Sequence, residues 1–165
     1  MLTNDIQIEI EDPATPDITL LLSEHLVDMA KHSPPESVHA LDLKALQHST
    51  ISFYTARSAS ENRQSDSPGE LLGCAALKVL ANSEGELKSM RTATAHLRKG
   101  IAAQLLKHVV SEARARGMRS LSLETGTPEA FLPARRLYQR FGFEECAPFA
   151  DYEEDPYSVC MRFIL

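Results

Sequence analysis

GELKSMRTATAHLRKGIAAQLLKHVVSEARARG, residues Gly85 to Gly117, decides the fold. Glu86, Lys88 and Met90 alternate with Leu87, Ser89 and Arg91, the two-residue period of a β-strand. The short basic turn HLRKG follows. From about Gly100 onward, Ile101, Ala102, Leu105, Leu106, Val109, Val110 and Ala113 recur at helical spacing. Gly117 suits the left-handed residue past the last turn. A strand, a basic turn and a helix aim unpaired N–H groups and the positive end of a helix dipole at one point, which suits a phosphate.

The charge pattern agrees. Between Lys88 and Arg119 the basic residues are Lys88, Arg91, Arg98, Lys99, Lys107, Arg114, Arg116 and Arg119, and Glu112 alone is acidic. The whole chain carries a net charge of −6, so this segment runs against its background. A phosphorylated ligand would be steered here. A solvated basic helix face accounts for the charge equally well.

Working toward the N-terminus, LLGCAALKVLA (Leu71 to Ala81) and ISFYTAR (Ile51 to Arg57) read as strands. With the Glu86 strand they form an antiparallel meander with a tight connection at Asn82 to Gly85. The polar, Ser-rich Ser58 to Glu70 is a loop or hairpin tip. A short helix is expected at about Leu41 to His48. A longer one, capped by Asp17, runs to about His32 and is broken by SPPES. Ile6, Ile8 and Ile10 mark a first strand, ended by Pro13 and Pro16. Toward the C-terminus come a strand SLSLETG (Ser120 to Gly126), a helix FLPARRLYQRFGF (Phe131 to Phe143) ended by Gly142, and a last strand from Ser158 to Leu165.

The 165 residues predict one domain, 1–165, with a real core. A hydrophobic content of 43% and a charged content of 24% are ordinary for a globular protein. No apolar run approaches the roughly 18 residues of a membrane span, and the acidic N-terminus lacks a signal peptide's pattern, so a cytoplasmic location without membrane attachment is expected. Cys74, Cys146 and Cys160 are far apart and form no metal spacing, which predicts reduced packing residues and no bound metal. An acidic chain with no Trp and few aromatics predicts no nucleic-acid partner. The absence of GxxxxGK[ST] and GxGxxG excludes a P-loop NTPase and a Rossmann dehydrogenase.

ELKSMRT, the RKGIA turn with its amphipathic helix, LSLETG and PARRLYQRFGF come in an order and at a spacing that resemble the GNAT family of N-acetyltransferases. The resemblance covers about Leu71 to Phe143. FADYEEDPYSVCM and HSPPESVHALDL resemble a small bacterial branch of acetyltransferases in that family. The family's core motif is Arg or Gln, two residues, Gly, one residue, then Gly or Ala. Gly100 and Ala102 fit its last two positions, while Leu97 departs from the first. The implied fold is α/β (mixed α+β), with a central, mostly antiparallel mixed sheet of six to seven strands and about four flanking helices. That sheet would splay between the Glu86 strand and the Ser120 strand.

The resemblance implies acetyl-CoA as co-substrate and an amine acceptor, small-molecule or peptide. Backbone groups of Met90, Arg91 and Thr92 would pair with the pantetheine arm. Those of Leu97, Arg98, Lys99, Gly100, Ile101 and Ala102 would cradle the pyrophosphate, and Phe131, Ala134 and Tyr138 would complete the cofactor side. Members are commonly dimers, so a homodimer is one expected state. Tyr138 would act as general acid toward the departing thiolate; periodicity alone also allows a packed core tyrosine. Acetyl transfer to an amine needs a base, and Glu86 and Glu124 are carboxylates inside central strands, an expensive place for an unpaired charge. Lys88 lies two residues from Glu86, so a structural ion pair is an equal reading. His25, His39, Lys88 and Asp155 are candidates for the acceptor side. Two functions follow: an N-acetyltransferase working by direct transfer in a ternary complex, or a non-catalytic acyl-CoA-binding sensor or interaction module on the same fold.

Overall fold

A computed structural model describes residues 6–40, 42–59 and 67–165. Seven strands form one sheet in the order β1-β2-β3-β4-β5-β7-β6. The strands are β1 Ile6–Ile10, β2 Ile51–Ser58, β3 Leu71–Val79, β4 Glu84–Thr92, β5 Ser120–Gly126, β6 Glu144–Cys146 and β7 Ser158–Ile164. The helices are α1 Pro16–His32, α2 Leu43–Leu46, α3 Ile101–Ala115 and α4 Leu132–Phe141. Among the described residues only the β4–β5 pairing is parallel. The mostly antiparallel mixed sheet with four helices is therefore as expected.

Both faces of the central strands are covered, which is why LLGCAALKV reads as a continuous apolar run rather than an alternation. On one face Ala75 and Leu77 pack with Tyr54 and Ala56 under α3, whose Leu105, Leu106 and Val109 are fully buried. On the other, Cys74 and Ala76 pack with Phe53 under Ile18, Leu21 and Leu22 of α1 and Leu46 of α2. A buried leucine of this size stabilises by about 1.5–3 kcal/mol, so these two layers dominate the fold.

Several local expectations need correction. Thr15, not Asp17, holds the cap position of α1, and Pro16 opens the helix as its first residue. Asp17 sits in the first turn and its Oδ1 accepts from Ile18 N at 2.9 Å. The helix at Leu41 to His48 shrinks to the four residues of α2, capped by Asp42, whose carboxylate accepts from Ala45 N at 2.8 Å. Leu41 and the middle of the Ser58–Glu70 loop, residues 60–66, lie outside the described residues. The helix expected from Phe131 begins one residue later, after a 3-10 turn at Glu129–Phe131. The short β6 had no periodic signal.

The alternation assigned to β4 breaks at Ser89, which has φ 53°. Lys88 is level with Ala76 and Arg91 with Cys74, so three residues of β4 span two of β3. That is a β-bulge. It keeps Arg91 on the α1 face with Lys88 and turns Met90 toward the α3 core. The bulge begins where β4 leaves β5: their last registered pair is Glu86 with Ser122.

Candidate active site

Past Glu86 the two central strands part, and the gap is a cavity of about 110 Å³ lined by Lys88 to Met90 of β4 and Leu123 to Gly126 of β5. His25, His39, Phe131, Ala134, Tyr138 and Tyr152 reach it from the flanking elements. The split thus brings residues from both faces of the sheet to one place. Leu123 belongs to the α3 core, so the next residue, Glu124, faces the α1 side with Glu86 and Lys88. Tyr138 arrives from α4 on the opposite side.

Glu86 and Lys88 form an ion pair, 3.0 Å between Oε1 and Nζ, with side chains 3% and 8% exposed. The structural pairing left open above is therefore present. Tyr152, which periodicity did not single out, completes it: its hydroxyl donates to Glu86 Oε1 at 2.5 Å and accepts from Lys88 Nζ at 2.7 Å. Burial, then the charge of Glu86 and the bond to it, push the Tyr152 phenol well above its usual range. Edge-on contact with His39 at 5.1 Å and packing on Phe149 at 5.0 Å fix the ring.

Among the described residues, Glu124 has no cation in contact. Ser158 Oγ donates to its Oε1. Burial raises its pKa above the ordinary carboxylate value; the Ser158 bond and the more distant His39 and Lys88 oppose the rise, and Glu86 adds to it. Tyr138 is buried with no hydrogen-bond partner for its hydroxyl among the described residues. Burial, helped by the charge of Glu124, raises its pKa well above 10, so the phenol stays protonated at neutral and alkaline pH. His25 is pushed down to about 4, first by burial and then by Arg91, which makes it neutral at pH 7.

The basic turn has the geometry of an anion cradle. Arg98 has φ 62° and Gly100 φ 79°, two left-handed residues separated by one. Among the described residues, the N–H groups of Arg98 to Ala103 make no backbone hydrogen bond, and the first bond of the turn runs from Gln104 N to Gly100 O at 3.1 Å. A Cβ on Gly100 would meet nothing within 4 Å, so the cradle is open. Those N–H groups, the positive end of the 15-residue α3 and the flanking Arg98 and Lys99 fit a pyrophosphate. Leu97 lies beside them, 55% exposed, and offers no donor.

Several other expected site residues have side chains engaged in packing or pairing. The Arg91 guanidinium binds Asp28 of α1 at 2.6 Å and its Nε has no partner among the described residues. Thr92 is level with Gly73 in the β3–β4 ladder. Ile101, the first residue of α3, buries its side chain in the core, and Ala102 packs against the same core, while their backbone N–H groups stay at the cradle. Asp155 does not line the cavity: it accepts from Tyr157 N at 2.8 Å and borders a separate recess with Arg135, Glu145 and Cys146. Phe131 closes over Gly126, where a Cβ would lie 2.4 Å from its ring.

Among the described residues no helix is long and apolar enough to cross a membrane. The Acetyltransferase (GNAT) family profile matches residues 21–143. The chain is 49% identical over 156 residues to the uncharacterized N-acetyltransferase YsnE of Bacillus subtilis (strain 168), covering 94% of this chain and 97% of that protein. The crystal structure of an inferred acyl-CoA N-acyltransferase from Klebsiella pneumoniae subsp. pneumoniae superposes with a TM-score of 0.80 at 26% identity, covering 99% of each chain. A Bacillus subtilis acetyltransferase solved in complex with CoA shares the fold, with a TM-score of 0.68 at 18% identity, covering 98% of this chain and 99% of that one. With a family match over most of its length and a relative at this identity, the chain belongs to the GNAT family of N-acetyltransferases.

Proposed function

We propose that the chain moves the acetyl group of acetyl-CoA directly to a primary amine within a ternary complex. Glu124 receives the amine's proton and Tyr138 protonates the departing thiolate. One observation carries this reading: a half-buried carboxylate and a buried phenol, from opposite faces of the sheet, meet at the cavity where β4 and β5 part. An amine reaches the enzyme as an ammonium without a lone pair. Glu124, lacking a cation in contact, pairs with that ammonium and then takes its proton; a carboxylate raised toward neutral pH is a better acceptor for this step. Tyr138, held protonated by its surroundings, has a proton for the sulfur throughout the working pH range.

Acetyl-CoA is the co-substrate of this family. The free N–H groups of Arg98 to Ala102 hold its pyrophosphate. The β5-facing edge of β4 beyond Glu86, unpaired in the sheet, receives the pantetheine arm around Met90. Because Lys88 and Tyr152 engage Glu86, it acts as their partner and leaves the base's part to Glu124. The reading takes residues 1–165 as one acetyltransferase domain acting in the cytoplasm.

The test is CoA release with a panel of primary amines. Turnover with at least one amine, lowered at least about 100-fold in Glu124→Gln and Tyr138→Phe with acetyl-CoA affinity retained, supports direct transfer. Tight acetyl-CoA binding with no turnover on any amine, and indifference to both substitutions, would assign the chain to the sensor class.

A further inference from the structure

We propose that Lys88 is a catalytic residue, supplying the positive charge that stabilises the oxyanion of the tetrahedral intermediate while Glu86 and Tyr152 hold its ammonium in place. The inference rests on the direct-transfer reading above. Glu86 and Ser122 are the last registered pair between β4 and β5. Two residues further along each strand come Lys88 and Glu124. They share a sheet face and stand opposite one another across the first gap of the split, both lining the cavity. They do not pair: Lys88 is bonded to Glu86, and Glu124 to Ser158. A proton acceptor and a fixed cation thus face each other across the space where transfer takes place.

The Lys88 ammonium has three N–H groups. One goes to Glu86 Oε1 at 3.0 Å and one to the Tyr152 hydroxyl at 2.7 Å. The third has no partner among the described residues. A lysine is a point charge on a flexible stem, and the two bonds remove that flexibility. Tyr152 is the hinge of the arrangement, accepting from Lys88 while donating to Glu86.

The electron count leaves a charge for such a group to meet. The amine lone pair forms a bond to the thioester carbonyl carbon, and the C=O π pair moves onto oxygen. Glu124 has by then taken the first proton of the ammonium; the second, left on nitrogen by the attack, passes through water to the Tyr138 oxygen once Tyr138 has given its own proton to sulfur. The pair on oxygen then reforms C=O, the C–S bond breaks, and sulfur leaves with the proton of Tyr138. Between the two steps the oxygen carries a full negative charge, and neither Glu124 nor Tyr138 is available to it. A charged donor fixed in place stabilises that oxygen more than mobile water does.

The experiment is infrared difference spectroscopy of bound acetyl-CoA labelled with carbon-13 at the carbonyl, with kcat measured alongside. In the wild type the thioester carbonyl band lies at lower frequency than in water. In Lys88→Met it returns toward the water position, kcat falls about 100- to 1,000-fold, and the acetyl-CoA Kd stays within about two-fold. Lys88→Arg keeps part of the shift. Should Lys88→Met leave Glu86 too poorly matched to fold, the double variant Glu86→Gln/Lys88→Met removes both charges and gives the same readout against Glu86→Gln. A carbonyl band identical in wild type and variants, or a double variant with kcat within about three-fold of Glu86→Gln, overturns the proposal. A shifted, Lys88-dependent band in a protein that acetylates no amine upholds the Lys88 contact and overturns the transfer reading instead.

Discussion

Arg57 and Lys88 have side chains that are each 8% exposed, and each lies in a neighbourhood with two carboxylates. Around Arg57 both carboxylates contact the guanidinium. Its Nε and Nη2 bind Glu11 at 2.8 and 3.2 Å, and its Nη1 binds Asp17 at 2.7 Å and Gly69 O at 3.0 Å. Thr55 adds a hydroxyl to Glu11. The cluster ties β2 to the β1–α1 link, to α1 and to the start of β3. Around Lys88 only Glu86 makes contact; among the described residues Glu124 has a serine hydroxyl and no cation. The closed cluster holds three elements together, while the open one keeps a half-satisfied carboxylate at a cavity. A buried charge left short of partners costs stability, and that cost marks the site where a ligand brings the missing charge.

The largest effect that tests this contrast is Glu124→Gln, which should lower kcat by about 100- to 10,000-fold with an unchanged or raised midpoint in thermal unfolding. A loss of stability instead would make Glu124 a structural residue. Next comes Arg57→Leu, which strands Glu11 and Asp17. Breaking a buried pair costs about 3–5 kcal/mol, and because Asp17 is 47% exposed about 2–4 kcal/mol is expected here. Urea unfolding reads this loss, and kcat of the folded fraction should not move.

A smaller effect concerns pH. His25 titrates near 4 in the folded chain against 6.5 as the ordinary value. Its native pKa is depressed, so between these values the unfolded chain binds a proton that the native chain does not. Its contribution is therefore present above pH 6.5 and lost as pH falls toward 4. Between pH 7 and 5 wild type should lose about 1–2 kcal/mol more than His25→Leu in paired urea titrations; parallel curves would contradict the burial of a neutral imidazole. The smallest effect is Leu97→Arg, which adds a donor beside the cradle. It should tighten acetyl-CoA about two- to five-fold and leave kcat alone, as calorimetry and initial rates will show.

The parts legible in the sequence are those with a long, unbroken period. Ile101, Leu105, Leu106, Val109 and Val110 mark α3 because one helix face packs on one sheet face, and all five are buried. Gly100, Gly117 and Gly142, whose φ values are 79°, 72° and 102°, mark the ends of helices for the reason only glycine takes those angles freely. The bulge was not legible, since Ser89 carries a positive φ without being glycine and tertiary pairing alone holds it there. Tyr152 lies in an irregular segment among Asp151, Glu153 and Glu154, where no period exists to say which way a side chain turns. Its place depends on Glu86 and Lys88, 66 and 64 residues away in the chain. Asp155, in the same segment, accepts from Tyr157 N and borders a separate recess. Only one residue in that acidic run reaches the cavity, and its composition could not have said which.

The most direct test of the central claim, that the split between β4 and β5 with the turn before α3 is the acetyl-CoA site, is a calorimetric titration of acetyl-CoA into wild type and Gly100→Val. The substituted side chain has open space around it, so its effect falls on the backbone angles that form the cradle. A β-branched residue at φ 79° is strained by about 1–2 kcal/mol, enough to distort the turn without unfolding the chain. Micromolar binding to wild type and at least about ten-fold weaker binding to Gly100→Val is the predicted result. No heat of binding to wild type at millimolar acetyl-CoA, or equal affinity in both proteins, would contradict it.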